Sequence, residues 1–236
     1  MEISCLTMQW GILVSQAPKG EPHPVMVLPG FMGGDDSTLL LRRFMARLRY
    51  KPLSWLQGTN TGSPEQLDAV MLRFYRLQHV MGTKISLVGQ SLGGVYAREI
   101  AKQFPDAVRT VITLGSPYGA TGSGSTNPMV EALFEQMSGL TVEQMRARMP
   151  EERDYKRLAV PATSVFSKTD GVVGWHACIE DETDISENIQ VRGSHVGMAM
   201  NPDVLRVIAD RLAQDPNTWK KFDRTSLCRR AIYPDR

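Results

Sequence analysis

The sequence predicts an α/β protein with a mainly parallel central sheet and helices on both faces, on three observations. Apolar strand-like runs alternate with helical patterns along the whole chain, an order that suits parallel strands joined by helical crossovers. One of those runs, Ile85 to Val88, feeds through a glycine-flanked turn straight into a helical face at Tyr96, Ile100 and Phe104. The 236 residues carry no internal repeat and are long enough to bury a substantial core, so a single domain spanning 1–236 is expected.

In chain order, Val25 to Leu28 is an apolar strand, and Pro29-Gly30-Phe31-Met32-Gly33-Gly34 is the glycine-rich loop leaving it. Asp36, Ser37 or Thr38 can cap the next helix, Leu39 to Leu48. Leu53 to Leu56 reads as a strand, Pro64 to Val80 as a helix, Lys84 to Val88 as a strand and Val108 to Leu114 as another, closed by Gly115-Ser116-Pro117. Pro161 to Ser167 reads as a buried strand opened by proline, Asn188 to Val191 as a short strand, and Val204 to Leu212 as the closing helix. Between Tyr118 and Leu158 lies a helical excursion, with Met129, Leu133 and Met137 on one stripe; it suits either a cap over a binding site or an insertion packed permanently on the sheet. The basic stretch at 223–236 is expected to be disordered or docked as a surface tail.

Gly89-Gln90-Ser91-Leu92-Gly93 sits at the abrupt strand-to-helix turn. A G-x-S-x-G turn needs glycine on both sides because a Cβ there collides with the neighbouring strand or helix, and it leaves the serine hydroxyl exposed above the strand ends. The plainer alternative is a serine that only caps a helix. Nucleophile elbows of this kind belong to the α/β-hydrolase fold, in which a serine is followed along the chain by an acid and then a histidine. Asp170, in the loop after the Pro161 to Ser167 strand, is the candidate acid; His195, in the glycine-flanked loop after Asn188 to Val191, is the candidate base. A serine hydroxyl is a poor nucleophile at neutral pH, so His195 would take its proton while Asp170 fixes the imidazole tautomer. His176 is a competing base, and Asp181, Glu182 and Asp184 are competing acids better read as a solvated loop. His79 and His23 read as surface residues, and Asp106 as turn chemistry.

A tetrahedral intermediate also needs two preorganised donors for its oxyanion. In this fold one is the backbone N–H after the nucleophile, here Leu92, and the other comes from the loop after an early strand, for which Phe31 is the candidate. Met32, Trp175, Met129 and Leu133 are candidate pocket walls, each equally plausible as core.

With these segments the chain resembles serine esterases and lipases of the α/β-hydrolase superfamily, and more narrowly it is similar to small bacterial hydrolases. The segments are His23 to Phe31, Asp35 to Thr38, Ser86 to Glu99, Ile112 to Pro117, Thr169 to Val173 and Arg192 to Gly197. The similarity runs from about His23 to Phe222 and implies acyl-ester chemistry without fixing a substrate. The lipase-type loop often begins with histidine where Pro29 stands, which removes a supporting side chain but not the backbone donor.

Bulk properties limit the alternatives. A net charge of +2 gives no electrostatic case for nucleic acid. Cys5, Cys178 and Cys228, odd in number and widely separated, suit reduced thiols in the cytoplasm. No metal-binding spacing or phosphate-binding loop occurs, so no metal or cofactor is expected, and no integral membrane segment or signal is legible near the start. The expected partner is a small-molecule ester with an apolar acyl group. The same triad would serve an acyltransferase or thioesterase, and an inactive ligand-binding scaffold is the reading from another class. Chain length of the substrate and oligomeric state are not encoded in any motif.

Overall fold

Six strands, β1 (Pro24–Leu28), β2 (Lys51–Leu53), β3 (Ile85–Gln90), β4 (Val108–Leu114), β5 (Ala162–Ser167) and β6 (Ser186–Val191), form one sheet in the order β2-β1-β3-β4-β5-β6. Every neighbouring pair is parallel. The computed structural model describes residues 10–118, 128–147 and 157–234. Its helices are α1 (Leu39–Arg47), α2 (Pro64–Met81), α3 (Leu92–Gln103), α4 (Pro128–Ser138), α5 (Val142–Ala147), α6 (Pro202–Ala213) and α7 (Leu227–Ile232), with a further helical stretch at 10–16.

Every strand but β2 is buried at all or all but one of its positions, because both faces of the sheet are covered. In β1, Val25 and Val27 join a core with Leu41, Phe44 and Met45 of α1 and Val204, Leu205 and Ile208 of α6. Met26 and Leu28 face the other way, into a core with Val70 and Phe74 of α2 and Val95, Tyr96 and Ile100 of α3. The side-chain period of two along the strand thus sends one half of each strand to either layer. Local chemistry sets the helix ends. Ser63 caps α2 through Gln66 N–H, Pro64 takes the first position, and Gly82 ends the helix at φ 61°. Asn201 and Pro202 start α6 in the same manner.

Three expectations need correction or completion. The second strand runs over Lys51–Leu53 rather than 53–56. The Asp35 carboxylate accepts from Trp55 N–H at 3.0 Å and Leu56 N–H at 3.1 Å, and Leu56 has φ 55°, so the chain turns where an extended run was expected. His23 is buried, not a surface residue: its ring bridges Glu21 O at 2.8 Å and Ser86 Oγ at 2.8 Å, and burial pulls its pKa below the usual histidine value. The C-terminal stretch is docked as far as it is described, for Tyr233 is buried against Phe222 at 4.9 Å between ring centroids and its hydroxyl donates to Asp203 O at 3.1 Å.

Among the described residues, no helix is long and apolar enough to cross a membrane. Cys178 is buried in a small cluster with Phe166, Val173 and Ala177, and desolvation, aided by the nearby Asp170 charge, pushes its thiol far above the usual range. Cys228 is exposed. Because the thiolate is the reactive species, a thiol reagent added to folded protein carrying Cys5→Ser is expected to modify Cys228 promptly and Cys178 only after denaturation. Rapid modification of two thiols in the native state would contradict the packing of Cys178.

Candidate active site

The strand order fixes where a crevice forms. From β1 the chain moves to one side, as β2, and then crosses to β3 and outward through β4, β5 and β6. Ligand crevices of open parallel sheets lie outside the carboxyl ends of the strands at such a reversal. The loop after β1 and the turn after β3 flank this point.

Ser91 occupies the turn with φ 51° and ψ −123°, outside the regions a side-chain-bearing residue normally adopts, at a cost of roughly 1–3 kcal/mol. Its surroundings hold it there. Ser91 N–H donates to Leu114 O of β4 at 2.8 Å, and Ser91 O accepts from Gly94 N–H at 2.9 Å to open α3. The flanking glycines have a steric reason: a Cβ on Gly89 would overlap Gly93 O, and one on Gly93 would overlap Leu28 O of β1. The helix therefore packs directly on two strands, and the serine is lifted above them.

Asp170 and His195 meet across the ends of β5 and β6. His195 Nδ1 lies 2.7 Å from Asp170 Oδ2, and Asp170 Oδ1 accepts from the N–H groups of Val172 at 2.8 Å and Val173 at 2.9 Å. Burial pushes the Asp170 carboxyl up, but the hydrogen bonds from His195, Val173 and Val172 and the imidazole's charge together bring it below its usual range. An ionised carboxylate only accepts, so His195 donates through Nδ1, which in the neutral ring leaves Nε2 as the acceptor. The ring is buried at 8 % exposure.

Gly115 joins the serine to this pair. It follows Leu114, the residue bonded to Ser91 N–H, and a Cβ on it would stand 3.1 Å from Asp170 Oδ2 and 3.3 Å from His195 Nδ1. A second tie is Gln90, whose Nε2 donates to His195 O at 2.9 Å and so anchors the histidine loop to the end of β3. Sequence reading passed over Gln90, because the second position of G-x-S-x-G carries no fixed residue type. The competing base, His176, is exposed and lies with its ring 3.5 Å from that of Trp175. Asp181, Glu182 and Asp184 are exposed.

The loop after β1 abuts the turn: a Cβ on Gly30 would be 3.2 Å from Ser91 Cβ. Among the described residues, no backbone carbonyl accepts from the N–H of Phe31 or of Leu92. The Leu92 N–H is one of the orphan donors at the start of a helix, where partial positive charge gathers. Met32, with φ 61°, is 47 % exposed, and Met129 on α4 is exposed. Trp175 instead stacks on Phe166 at 5.7 Å and receives the Lys168 ammonium at 4.9 Å. The side chain of Leu133 lies outside the described residues. Phe134 of α4 is buried against the Phe31 ring at 5.5 Å, so the insertion touches the loop after β1.

No protein-family model matches the sequence, and no curated protein matches it either. Solved structures do. The chain is similar to lipase B of Aspergillus fumigatus at TM-score 0.63 and 17% identity, over 84% of this chain and 55% of that one. It is similar to a monoacylglycerol lipase of Paleococcus ferrophilus at TM-score 0.57 and 14% identity, over 84% and 97%. An α/β superfamily hydrolase of Oenococcus oeni gives 0.54 and 16%, over 84% and 94%. The fold is that of the α/β-hydrolases. The chain spans only about half the length of the Aspergillus lipase.

Proposed function

We propose that the protein is a serine hydrolase that cleaves carboxylic esters of small molecules through an acyl-enzyme on Ser91. The observation that carries this reading is the 2.7 Å contact between His195 Nδ1 and an Asp170 carboxylate held by two backbone N–H groups, at the strand ends beside a serine in strained geometry. Such an arrangement suits nucleophilic attack by the serine on an acyl carbon. Ser91 Oγ attacks the ester carbonyl while His195 Nε2 takes its proton, and the carbonyl oxygen becomes an oxyanion stabilised by the N–H groups of Phe31 and Leu92. Collapse of the tetrahedral intermediate breaks the bond to the alcohol oxygen, which receives the proton from His195. Water then repeats the sequence on the acyl-enzyme, with His195 again as base, and releases the acid and free Ser91. The lipases among the structural neighbours share the fold, which agrees with this reading.

The helices at Pro128–Ser138 and Val142–Ala147 serve in this proposal as a cap, and the exposed methionines Met32 and Met129 favour an apolar acyl group, since methionine adapts to irregular apolar shapes. The odd, separated cysteines favour a reducing, cytoplasmic setting. The test uses purified protein with p-nitrophenyl esters of increasing chain length and a fluorophosphonate probe. Wild type is expected to turn over the esters and to be labelled once per chain, and Ser91→Ala to do neither. Labelling that survives in Ser91→Ala would overturn the assignment of the nucleophile.

A further inference from the structure

The loop after β1 is not held by its own hydrogen bonds alone. Asn60, 31 residues from Pro29 and wholly buried, reaches it with side chain and main chain together. Its Nδ2 donates to Pro29 O at 2.9 Å, and its Oδ1 accepts from Gly62 N–H at 3.1 Å. Its backbone C=O accepts from Met32 N–H at 2.7 Å, and its backbone N–H donates to Gly33 O at 2.8 Å. Three of these bonds bracket Phe31, one on Pro29 before it and two on Met32 and Gly33 after it, and the fourth, from Gly62, fixes Asn60 itself.

Two features make this clamp matter for chemistry rather than for packing alone. Met32 adopts φ 61°, a conformation a side-chain-bearing residue keeps only when its surroundings enforce it, and Asn60 O is the acceptor for the N–H of that very residue. The Pro29–Phe31 peptides run directly against Ser91, since a Cβ on Gly30 would lie 3.2 Å from Ser91 Cβ. A small rotation of these peptides would carry the Phe31 N–H away from an oxygen bonded to the carbon that Ser91 attacks. Preorganised donors lose their effect when they must reorient during the reaction.

We infer that Asn60 is a positioning residue of the oxyanion loop: its carboxamide and main chain hold the Phe31 N–H in place opposite that of Leu92. The inference rests on the esterase reading above and assigns a role to a residue that no serine-hydrolase motif in the sequence includes. The carboxamide is required because the site needs a donor toward Pro29 O and an acceptor toward Gly62 N–H from one short side chain. A neutral carboxyl group meets the same demand, and an ionised one does not.

The experiment compares wild type with Asn60→Ala and the isosteric Asn60→Asp. kcat and KM are measured on one p-nitrophenyl ester between pH 5 and 9, and amide hydrogen exchange is followed over residues 29–33. Asn60→Ala is expected to lower kcat by roughly 10²-fold, the loss typical of one oxyanion donor, with KM changed little. Asn60→Asp is expected to approach wild-type kcat at the acid end and to fall away from it as pH rises, because the protonated carboxyl still donates to Pro29 O. Exchange at Met32 and Gly33 should quicken in Asn60→Ala while α6 stays protected. A pH-independent ratio of Asn60→Asp to wild type, a loss confined to KM, or unchanged protection at Met32 and Gly33 would each overturn the inference. Should wild type itself cleave no ester, the esterase reading fails, and faster exchange at Met32 and Gly33 still supports the clamp while unchanged exchange refutes it. If Asn60→Ala does not fold, the pH dependence of Asn60→Asp decides.

Discussion

Ser91→Ala, His195→Ala and the double variant are expected to fall to one common floor of ester hydrolysis, each losing roughly 10⁶-fold in kcat, because nucleophile and base act as a unit. Asp170→Asn should lose less, roughly 10⁴-fold, since the aspartate orients the imidazole and stabilises its charge without exchanging a proton. The geometry gives the reason for the ordering. With an amide at position 170 the backbone N–H groups of Val172 and Val173 still have an oxygen to meet, but the other group facing His195 Nδ1 can be an N–H, which favours the wrong tautomer. Single-turnover kinetics on folded variants reads all four proteins. Losses of Ser91→Ala and His195→Ala that multiply in the double variant would mean that the two residues do not share one step. Near-normal turnover in His195→Ala, with His176→Ala inactive, would move the base to the exposed loop after Asp170.

The strands were legible in the sequence wherever burial on both faces left a run dominated by apolar and β-branched residues. β4 begins and ends where the run Val108 to Leu114 does. The second strand was misread because Leu53 to Leu56 is apolar for another reason: Trp55 fills the core between α2 and α3, and a carboxylate from a distant loop, Asp35, bends the chain there. Local sequence carries no trace of that partner. Ser91, Asp170 and His195 stood out because each follows a strand and their order is constrained, whereas what links them was hidden. Gln90 and Asn60 act on backbone carbonyls far away in the chain, Gly115 leaves room for the side chains of Asp170 and His195, and such contacts impose no spacing that can be counted in the sequence. The burial of His23 escaped for the same reason, since its partner Ser86 is 63 residues distant.

Arg98→Met is expected to cost about 3–5 kcal/mol of stability, the penalty for leaving a buried ion without its counter-charge, against a total of about 5–15 kcal/mol for a typical domain. Arg98 Nη1 lies 3.0 Å from Glu180 Oε1, both side chains are 1% exposed, and the guanidinium sits 3.9 Å over the Tyr118 ring. The pair ties α3, the helix that Ser91 opens, to the segment that follows the Asp170 loop. Burial already raises the Glu180 carboxyl above its ordinary value of 4.5, and the Arg98 charge is the main force opposing that rise. Removing the guanidinium lifts it further. A carboxyl whose folded-state pKa exceeds its unfolded one penalises folding only when ionised: the penalty is absent below the unfolded value and grows as pH rises toward the folded one. The deficit of Arg98→Met relative to wild type, read from urea midpoints, should therefore shrink as pH is lowered toward 5 and widen toward neutrality. Adding Glu180→Gln should remove that pH dependence and recover part of the loss, because an amide carries no charge to desolvate. A deficit that stays constant with pH would assign the cost to lost packing against Tyr118, and a deficit under about 1 kcal/mol at neutral pH would put the pair among the weakly coupled ones found at surfaces.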